Sequence, residues 1–231
     1  MMSLRAVVWD LDGTLLDSAP DLRAVLNAVI GEIGLAPFDL AEVKGMIGGG
    51  VPKLVERGLG ARGLAPSPQQ LADLSARFLE LYAARPCRES TLFPGAEDTL
   101  RRLKAAGYAQ ALCTNKPEAI TGLILRALGL VDCFDAVIGG DTTLERKPHP
   151  LPLRTALGQL KAGAAQAVMI GDSSADQGAA RAVNCKLVLV RHGYSRVPVA
   201  ELEPDALCHR LEDVPDLVAG FDLVQPMALQ A

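Results

Sequence analysis

Two aspartates lie two residues apart near the start of the chain, directly after an apolar run. Ala6 to Trp9 has the composition of a strand buried on both faces, and Asp10 and Asp12 follow it. On an extended backbone, residues two apart point the same way, so both carboxylates face one side. Like charges placed side by side repel each other unless a cation lies between them or one of them holds a proton. The pair therefore predicts a cation site, acid–base chemistry, or both.

Further polar groups follow later predicted strands or lie in the loop just beyond one. In chain order they are Thr114 and Asn115 after the strand predicted at 109–113, Lys147 in the loop after 136–138, and Asp172 with Asp176 after 167–170. In open sheets of parallel strands, ligands bind beyond the carboxyl ends of the strands. We therefore expect these groups to meet the aspartate pair at one edge of a sheet.

The second half of the chain alternates between helical and strand patterns. Helices are predicted at 96–106, 118–128, 151–160, 175–183 and 214–218, and strands at 109–113, 136–138, 167–170, 186–190 and 206–209. Such alternation predicts an α/β fold with a doubly wound, mostly parallel, Rossmann-like sheet covered by helices on both faces. The tail from about Asp222 is expected to fray.

The segment 17–86 carries helical spacing and no strand signal. Ser18, Pro20 and Asp21 predict a helix start, and the four predicted helices end near residues 34, 47, 59 and 84. We therefore predict a small all-helical cap domain at 17–86, inserted into a core domain made of 1–16 and 87–231. We expect the cap to open and close about hinges at 15–18 and 85–88.

Composition limits the classes of partner and compartment. The net charge of −4 argues against a nucleic-acid groove, which needs a basic surface. We see no transmembrane window of about 18 apolar residues, and Arg5 and Asp10 interrupt any apolar run of a signal peptide. The five cysteines form no CxxC motif, which predicts buried free thiols in a reducing compartment. We expect a cytoplasmic monomer or homodimer that binds neither nucleic acid nor membrane.

Taken in order, the polar motifs resemble the four signatures of the haloacid dehalogenase superfamily. Asp10-Leu11-Asp12-Gly13-Thr14 is similar to the first signature, and Gly171-Asp172-Ser173-Ser174-Ala175-Asp176 is similar to the fourth. Thr114 and Lys147 match the second and third. Order and spacing agree over essentially the whole chain, including a helical cap between the first two signatures. The resemblance implies a hydrolase built on this α/β core.

The resemblance and the chemistry together imply roles for the aspartates in phosphate-ester hydrolysis. Asp10 is expected to attack phosphorus and form an aspartyl-phosphate, which splits one difficult step into two. Asp12 is expected to protonate the leaving oxygen and then to activate the water that breaks the intermediate. The expected cofactor is Mg²⁺, held by Asp10, Asp172 and the backbone carbonyl of Asp12.

The other site residues are expected to bind a small anionic phosphate ester. Thr114 and Asn115 would bind the transferring phosphoryl oxygens, and Lys147 would offset negative charge on the phosphoryl group and on the nucleophile. Gly49 and Gly50 belong to a glycine triplet between two cap helices. That triplet favours either a loop that cradles an anion or a flexible break.

Asp176 lies one helical turn past Asp172. Together with Ser173, it is expected to orient Lys147 or a metal-bound water. Each motif residue has a plainer alternative: Thr114 as a helix cap, Lys147 as a solvated loop lysine, Asp172 as a turn residue and Asp176 as a carboxylate in the first turn of a helix.

Departures from related patterns narrow the activity. Asp12 favours a phosphatase or a phosphomutase, because dehalogenases and phosphonatases lack an acidic residue there. Sugar phosphomutases carry a cap histidine where this chain has Leu22 and an arginine about where it has Gly48. Gly48 to Leu59 resembles the corresponding segment of phosphoglycolate phosphatases, which implies 2-phosphoglycolate as the substrate. Lys53 or Arg57 would then either meet its carboxylate or lie on a solvated helix face.

Other functions stay open at this stage. A sugar phosphomutase or a broad-specificity sugar or nucleotide phosphatase would carry the same signatures. A receiver-like phosphoacceptor module also combines an aspartate, a threonine, a lysine and Mg²⁺, but such modules are about half this length and place the acceptor later in the chain. An inactive relative that acts as a partner protein would not need all of these groups intact.

Overall fold

The computed structural model describes residues 5–223 of the chain. Eight strands are formed within them: β1 (Ala6–Trp9), β2 (Leu16–Asp17), β3 (Thr91–Leu92), β4 (Ala109–Cys113), β5 (Ala136–Ile138), β6 (Ala167–Gly171), β7 (Lys186–Val190) and β8 (Ala206–Cys208). The nine α-helices of these residues are α1 (Ala19–Gly31), α2 (Leu40–Lys44), α3 (Val51–Ala61), α4 (Pro68–Ala84), α5 (Ala96–Ala105), α6 (Glu118–Ala127), α7 (Pro150–Gln159), α8 (Ser174–Val183) and α9 (Val214–Leu223).

The predicted elements of the α/β part are confirmed to within a few residues at their ends. The largest difference is at α9, which continues to Leu223 instead of ending near Val218. The expectation of a frayed tail therefore does not hold at Asp222, and its remainder lies outside the described residues.

Six strands form one sheet in the order β5-β4-β1-β6-β7-β8, and every neighbouring pair is parallel. The predicted α/β fold class is confirmed. Trp9 at the end of β1 lies opposite Leu112 of β4 and Ile170 of β6, so the residues after these three strands emerge side by side. The chain builds β4 and β5 on one side of β1 and β6 to β8 on the other. The switch of winding direction thus lies beside β1.

Each face of the sheet has its own apolar core, because side chains alternate along every strand. In β1, Val7 and Trp9 belong to one core, and Ala6 and Val8 belong to the other. All four are fully buried, as expected for a strand covered by helices on both faces. The indole Nε1 of Trp9 donates a hydrogen bond to Oε1 of Gln110 at 3.0 Å, which satisfies both buried polar groups.

Helices α1 to α4 form the helical segment (residues 19–84) between β2 and β3. β2 and β3 pair in antiparallel fashion, with Leu16 opposite Leu92 and Asp17 opposite Thr91. The prediction that 17–86 contains no strand is therefore wrong at Asp17. Two-residue strands are too short to produce an alternating hydrophobic pattern, so the sequence carries no signal for this ribbon. The ribbon brings the two ends of the helical segment together.

None of the helices within residues 5–223 is long and apolar enough to cross a membrane.

Candidate active site

Asp10 lies at the carboxyl end of β1, at the centre of the sheet. Its backbone N–H donates to the carbonyl of Ile170 at 2.9 Å, which continues the pairing of β1 with β6 by one residue. Its side-chain Oδ1 is 2.9 Å from Nζ of Lys147. That oxygen is buried, and within residues 5–223 it has no hydrogen-bond partner of good geometry. The nucleophile predicted from sequence is therefore held mainly by charge, through its contact with Lys147.

Asp172 lies at the end of β6, and its carboxylate is held from two sides. Its Oδ2 accepts a hydrogen bond from the backbone N–H of Tyr194 at 2.5 Å. A Cβ at Gly13, where φ is +87°, would lie 2.3 Å from this oxygen, and a Cβ at Gly193 would lie 2.2 Å from Cβ of Asp172. Only glycine therefore fits at both places, and the two close approaches fix the position of the carboxylate.

Three buried carboxylates converge beside β1. Oxygen atoms of Asp10, Asp172 and Asp176 lie within 4.8 Å of one another. Burial is the main cause that raises the pKa of Asp10 to about 6, against the opposing effect of Lys147. Burial, and then the charges of Asp176 and Asp10, raise the pKa of Asp172 well above its ordinary value. Three carboxylates share one ammonium group, that of Lys147, and their hard oxygen donors suit Mg²⁺.

Asp12 is not among the three converging carboxylates. Its Oδ1 lies 3.0 Å from Nζ of Lys116 instead. The carboxylate that joins Asp10 and Asp172 is Asp176, which the sequence had indicated only as a supporting residue. The predicted ligand set, in which Asp12 contributes its backbone carbonyl, stays a prediction.

Lys147 connects two of the carboxylates. Its Nζ lies 2.6 Å from Oδ1 of Asp176 and 2.9 Å from Oδ1 of Asp10, and its side chain is only 2% exposed. Burial alone would lower the pKa of Lys147, but the two carboxylates outweigh it and hold the pKa above its ordinary value. The plainer alternative of a solvated loop lysine is therefore wrong, and the site contains a permanent buried positive charge.

Asp176 is fully buried in the first turn of α8, with every oxygen in use. Oδ1 accepts from Lys147, and Oδ2 accepts from the backbone N–H groups of Asp172 and Ser173, each at 3.1 Å, and from Oγ of Ser173 at 2.7 Å. This carboxylate thus links Lys147 to the loop that carries Asp172. It has far more partners than a solvated carboxylate in a first helical turn would have.

Thr114 and Asn115 follow β4, beside the aspartate pair. The backbone N–H of Thr114 donates to the carbonyl of Ile138 at 2.9 Å, and its Oγ1 accepts from the backbone N–H of Lys116 at 3.3 Å. Thr114 does not cap α6, because Pro117 occupies the N-cap position. Asn115 Nδ2 donates to the carbonyl of Lys147 at 2.9 Å, which ties the two loops together.

The glycine triplet separates α2 from α3 and faces the site. Gly48, Gly49 and Gly50 have φ values of +106°, +86° and +86°, which only glycine adopts without strain. Arg57 supports the loop by donating from Nη1 to the carbonyls of Met46 and Gly48, at 2.8 and 2.5 Å. The triplet therefore separates two helices and lines the pocket, and whether it binds an anion stays a prediction.

One open pocket combines the two parts of the chain. Its walls come from the helical segment and from the loops after β1, β4, β5, β6 and β7. They include Asp10, Asp12, Leu22, Gly48, Gly49, Gly50, Thr114, Asn115, Lys116, Lys147, Asp172, Ser173 and Tyr194. Every site residue predicted from sequence except Asp176 lines it. Lys53 and Arg57 do not, and Lys53 forms an exposed ion pair with Glu56 at 2.6 Å.

The sequence interpretation missed three residues of this pocket region. Lys116 is buried between Asp12 and Tyr82, and Tyr194 contacts both Asp172 and the entry to α1. Lys116 could have been found, because it directly follows Thr114 and Asn115 at the end of β4. Tyr82 and Tyr194 approach from distant parts of the chain, and nothing in their local sequence indicates it.

Comparison with known proteins identifies the family. Residues 7–190 match the model of the haloacid dehalogenase-like hydrolases. The phosphoglycolate phosphatase of Cereibacter sphaeroides is 44% identical over 212 residues, covering 92% of this chain and 96% of that protein. The crystal structure of a predicted phosphoglycolate phosphatase from Haemophilus somnus has a TM-score of 0.88 at 30% identity and covers 94% of this chain and 99% of that one.

A second solved structure has a ligand. CbbY from Rhodobacter sphaeroides, in complex with phosphate, has a TM-score of 0.78 at 25% identity and covers 91% of this chain and 96% of that one. Residues 7–190, which match the family, include β1 from Val7 onward, all of β2 to β7, and the carboxylates described above. This chain belongs to the haloacid dehalogenase-like hydrolases and is a phosphoric monoester hydrolase that resembles the phosphoglycolate phosphatases.

Proposed function

We propose that this protein is a Mg²⁺-dependent phosphatase that hydrolyses a small anionic phosphate monoester, 2-phosphoglycolate, through an aspartyl-phosphate on Asp10. The observation that carries the proposal is the position of Asp10. Its carboxylate lines the pocket beside a buried ammonium group and two further carboxylates, with a second acid, Asp12, two residues away. This arrangement combines a nucleophile, fixed positive charge and a proton donor around one space.

In the first half-reaction an oxygen of Asp10 attacks phosphorus, and the bond from phosphorus to the ester oxygen breaks. Asp12 gives its proton to the departing oxygen, so that an alcohol leaves instead of an alkoxide. Thr114 and Asn115 bind the phosphoryl oxygens. Lys147, already 2.9 Å from Asp10, offsets the negative charge that gathers there.

In the second half-reaction Asp12 is a carboxylate. It takes a proton from water, whose oxygen attacks phosphorus and releases Asp10 as the leaving carboxylate. Inorganic phosphate is the product, and both aspartates return to their starting states. Buried Lys147 keeps the positive charge of the site constant through both halves.

Asp10, Asp172 and the backbone carbonyl of Asp12 would hold Mg²⁺, and Asp176 with Ser173 would orient the groups around it. When bound, Mg²⁺ neutralises the repulsion between the phosphate and the carboxylates. The convergence of Asp10, Asp172 and Asp176 supports this assignment, and burial, which raises the pKa of Asp10 and of Asp172, disfavours their charged forms until a cation is bound.

The helical segment would act as a cap. In this proposal residues 17–86 form the cap and residues 1–16 and 87–231 form the core, and Gly49 and Gly50 bind the substrate from the cap side. Closure would exclude water while the first bond breaks.

All five cysteines lie within the described residues and are free thiols, which supports a reducing, cytoplasmic location.

The proposed substrate rests on the relatives and on two pocket residues. The relatives named above are phosphoglycolate phosphatases. Leu22 and Gly48, which stand where sugar phosphomutases carry a histidine and an arginine, both line the pocket. Neither can transfer a proton or bind a second phosphate through a side chain, so the pocket favours a small substrate that is hydrolysed.

The decisive experiment measures phosphate release from a panel of phosphate monoesters with Mg²⁺ and with a chelator. We expect kcat/KM for 2-phosphoglycolate to exceed that for sugar and nucleotide monophosphates at least about tenfold. Acid quenching during turnover should trap phosphate on Asp10. The matched variant Asp10→Asn keeps the shape of the side chain, and it should release no phosphate and trap none; turnover in this variant would overturn the proposal.

A further inference from the structure

Lys116 holds a buried position next to the proposed acid. Its side chain is 3% exposed, and its Nζ lies 3.0 Å from Oδ1 of Asp12. An ammonium group is kept in such surroundings only when it is well paired, and the carboxylate of Asp12 is its first partner.

The second partner of Lys116 comes from the helical segment. Nζ donates a hydrogen bond to the hydroxyl of Tyr82 at 3.0 Å and lies 4.6 Å from the centre of the tyrosine ring. Tyr82 is 1% exposed near the end of α4 and packs edge-on against Phe78, with ring centres 5.9 Å apart. The ring is thus fixed by its neighbours, and its hydroxyl fixes the ammonium group.

This contact chain runs from α4 through the loop after β4 to the loop after β1. Lys147, the second lysine of the pocket, is not part of this contact chain and forms ion pairs with Asp10 and Asp176. The pocket therefore contains two buried ammonium groups with different carboxylate partners. One belongs to the nucleophile and the other to the acid.

We infer that Lys116 is a positioning residue that, held by Tyr82, fixes the side chain of Asp12 so that its second oxygen faces the ester oxygen of the substrate. The inference deepens the proposed function and rests on it. The ion pair at Oδ1, 3.0 Å from Nζ of Lys116, favours one orientation of the carboxylate, and in this proposal Oδ2 carries the proton. In the step concerned, the bond from Asp10 to phosphorus forms, the bond from phosphorus to the ester oxygen breaks, and the proton passes from Asp12 to that oxygen.

A positioning role through an acid has a specific kinetic signature. Phenyl phosphate and p-nitrophenyl phosphate have nearly the same shape and the same charged group, but p-nitrophenolate leaves without a proton far more readily than phenolate does. A residue that acts through Asp12 therefore affects phenyl phosphate much more than p-nitrophenyl phosphate. A residue that acts only on folding or on phosphate binding affects both alike.

The experiment measures kcat/KM for both esters with Mg²⁺ in the wild type, Lys116→Met and Tyr82→Phe. Because general acid catalysis contributes about 10²–10⁴-fold, we expect Lys116→Met to lower kcat/KM for phenyl phosphate by about 100-fold. For p-nitrophenyl phosphate we expect a loss of no more than about threefold. Tyr82→Phe keeps the ring, removes only the hydroxyl, and should show the same selectivity with a smaller loss. If Lys116→Met folds poorly, Tyr82→Phe still tests the inference.

A double-mutant cycle with Asp12→Asn tests the connection directly. If Lys116 acts through Asp12, then Lys116→Met should cause almost no further loss in the Asp12→Asn background. Equal losses with both esters, or a full further loss in that background, would overturn the inference. These outcomes differ from failure of the proposed function, in which the wild type would hydrolyse neither ester or Asp10→Asn would remain active.

Discussion

The carboxylate of Asp176 and the ammonium group of Lys147 lie 2.6 Å apart with both side chains buried, and the pair connects the loop after β5 to the start of α8. Asp176 also accepts hydrogen bonds from the loop that carries Asp172. Asp176 thus sets the position of Lys147, which lies beside Asp10, and the position of Asp172.

Asp176→Asn should therefore reduce turnover through residues that it does not replace. The amide keeps the size of the carboxylate but removes the negative charge opposite Lys147. Its NH₂ group would also face groups that donate hydrogen bonds to Asp176 in the wild type. We expect kcat/KM to fall by about 10- to 100-fold, the range found for residues that support metal ligands. The control Asp73→Asn removes an exposed carboxylate of α4 and should leave kcat/KM unchanged. Unchanged Mg²⁺ dependence and turnover in Asp176→Asn would contradict the assigned role.

The close approach of Gly13 to Asp172 predicts a loss of cation binding in Gly13→Ala. Gly107 offers a matched control, because it has the same φ of +87° but no atom within 4 Å of an added Cβ. Both variants should lose about 1–2 kcal/mol of unfolding free energy from the backbone conformation. Only Gly13→Ala should displace the Asp172 carboxylate and weaken Mg²⁺ binding measured by calorimetry. Equal Mg²⁺ affinities in the two variants would show that the contact does not matter.

The residues that sequence predicts well here share a property: their position follows from a strand end. Asp10, Thr114 and Asp172 each come directly after an apolar strand, and parallel strands bring their carboxyl ends to one edge. Lys147 is less closely tied to a strand end, because it lies in a loop nine residues beyond β5. Its two ion pairs depend on the path of that loop, which periodicity does not describe.

Contacts between the helical segment and the sheet could not be predicted from local patterns. Ser18 and Asp21 illustrate this. Ser18 does not cap α1, since its side chain forms no such bond and the N–H of Ala19 donates to the hydroxyl of Tyr194. Asp21 lies in the first turn of α1 as predicted, and its carboxylate also accepts a hydrogen bond from the backbone N–H of Arg88, 67 residues further along the chain. A tertiary partner outweighed the local rule at Ser18 and was added to it at Asp21.

Asp21 binds residues 88–90, which connect the helical segment to β3, and its removal should loosen this connection. Its buried carboxylate accepts from the backbone N–H groups of Arg88, Glu89 and Ser90 and from Oγ of Ser90. Four hydrogen bonds to one carboxylate do not add in full, and breaking such a buried network is among the costlier single substitutions, so Asp21→Ala should lower the unfolding free energy by about 2–4 kcal/mol.

Hydrogen exchange locates the effect of Asp21→Ala. Amides 88–90 should exchange at least about tenfold faster, while amides of β4 should change only as far as global stability requires. Ser90→Ala, which removes one of the four donors, should leave the three amides protected. Protection at 88–90 that persists in Asp21→Ala would rule out this attachment.

The buried carboxylates predict an unusual dependence of stability on pH and Mg²⁺. Because burial raises the pKa of Asp10 from 3.8 to about 6, the folded protein holds a proton between these values that the unfolded chain releases. Without Mg²⁺, this group therefore makes the protein less stable as the pH rises from about 4 to about 6, and the loss persists above that range. Asn does not titrate, so Asp10→Asn should not show this loss of stability as the pH rises. Its Tm at pH 7.5 in a chelator should therefore be higher than that of the wild type.

Mg²⁺ should reverse the difference. A cation that binds only the folded state raises its stability, and protons compete with it for the same oxygens. Mg²⁺ should therefore raise the Tm of the wild type at pH 7.5, raise it much less at pH 5, and hardly raise the Tm of Asp10→Asn at either pH. Differential scanning calorimetry with Mg²⁺ and with a chelator measures all of these values. A rise in Asp10→Asn as large as that in the wild type would mean that the ion binds elsewhere.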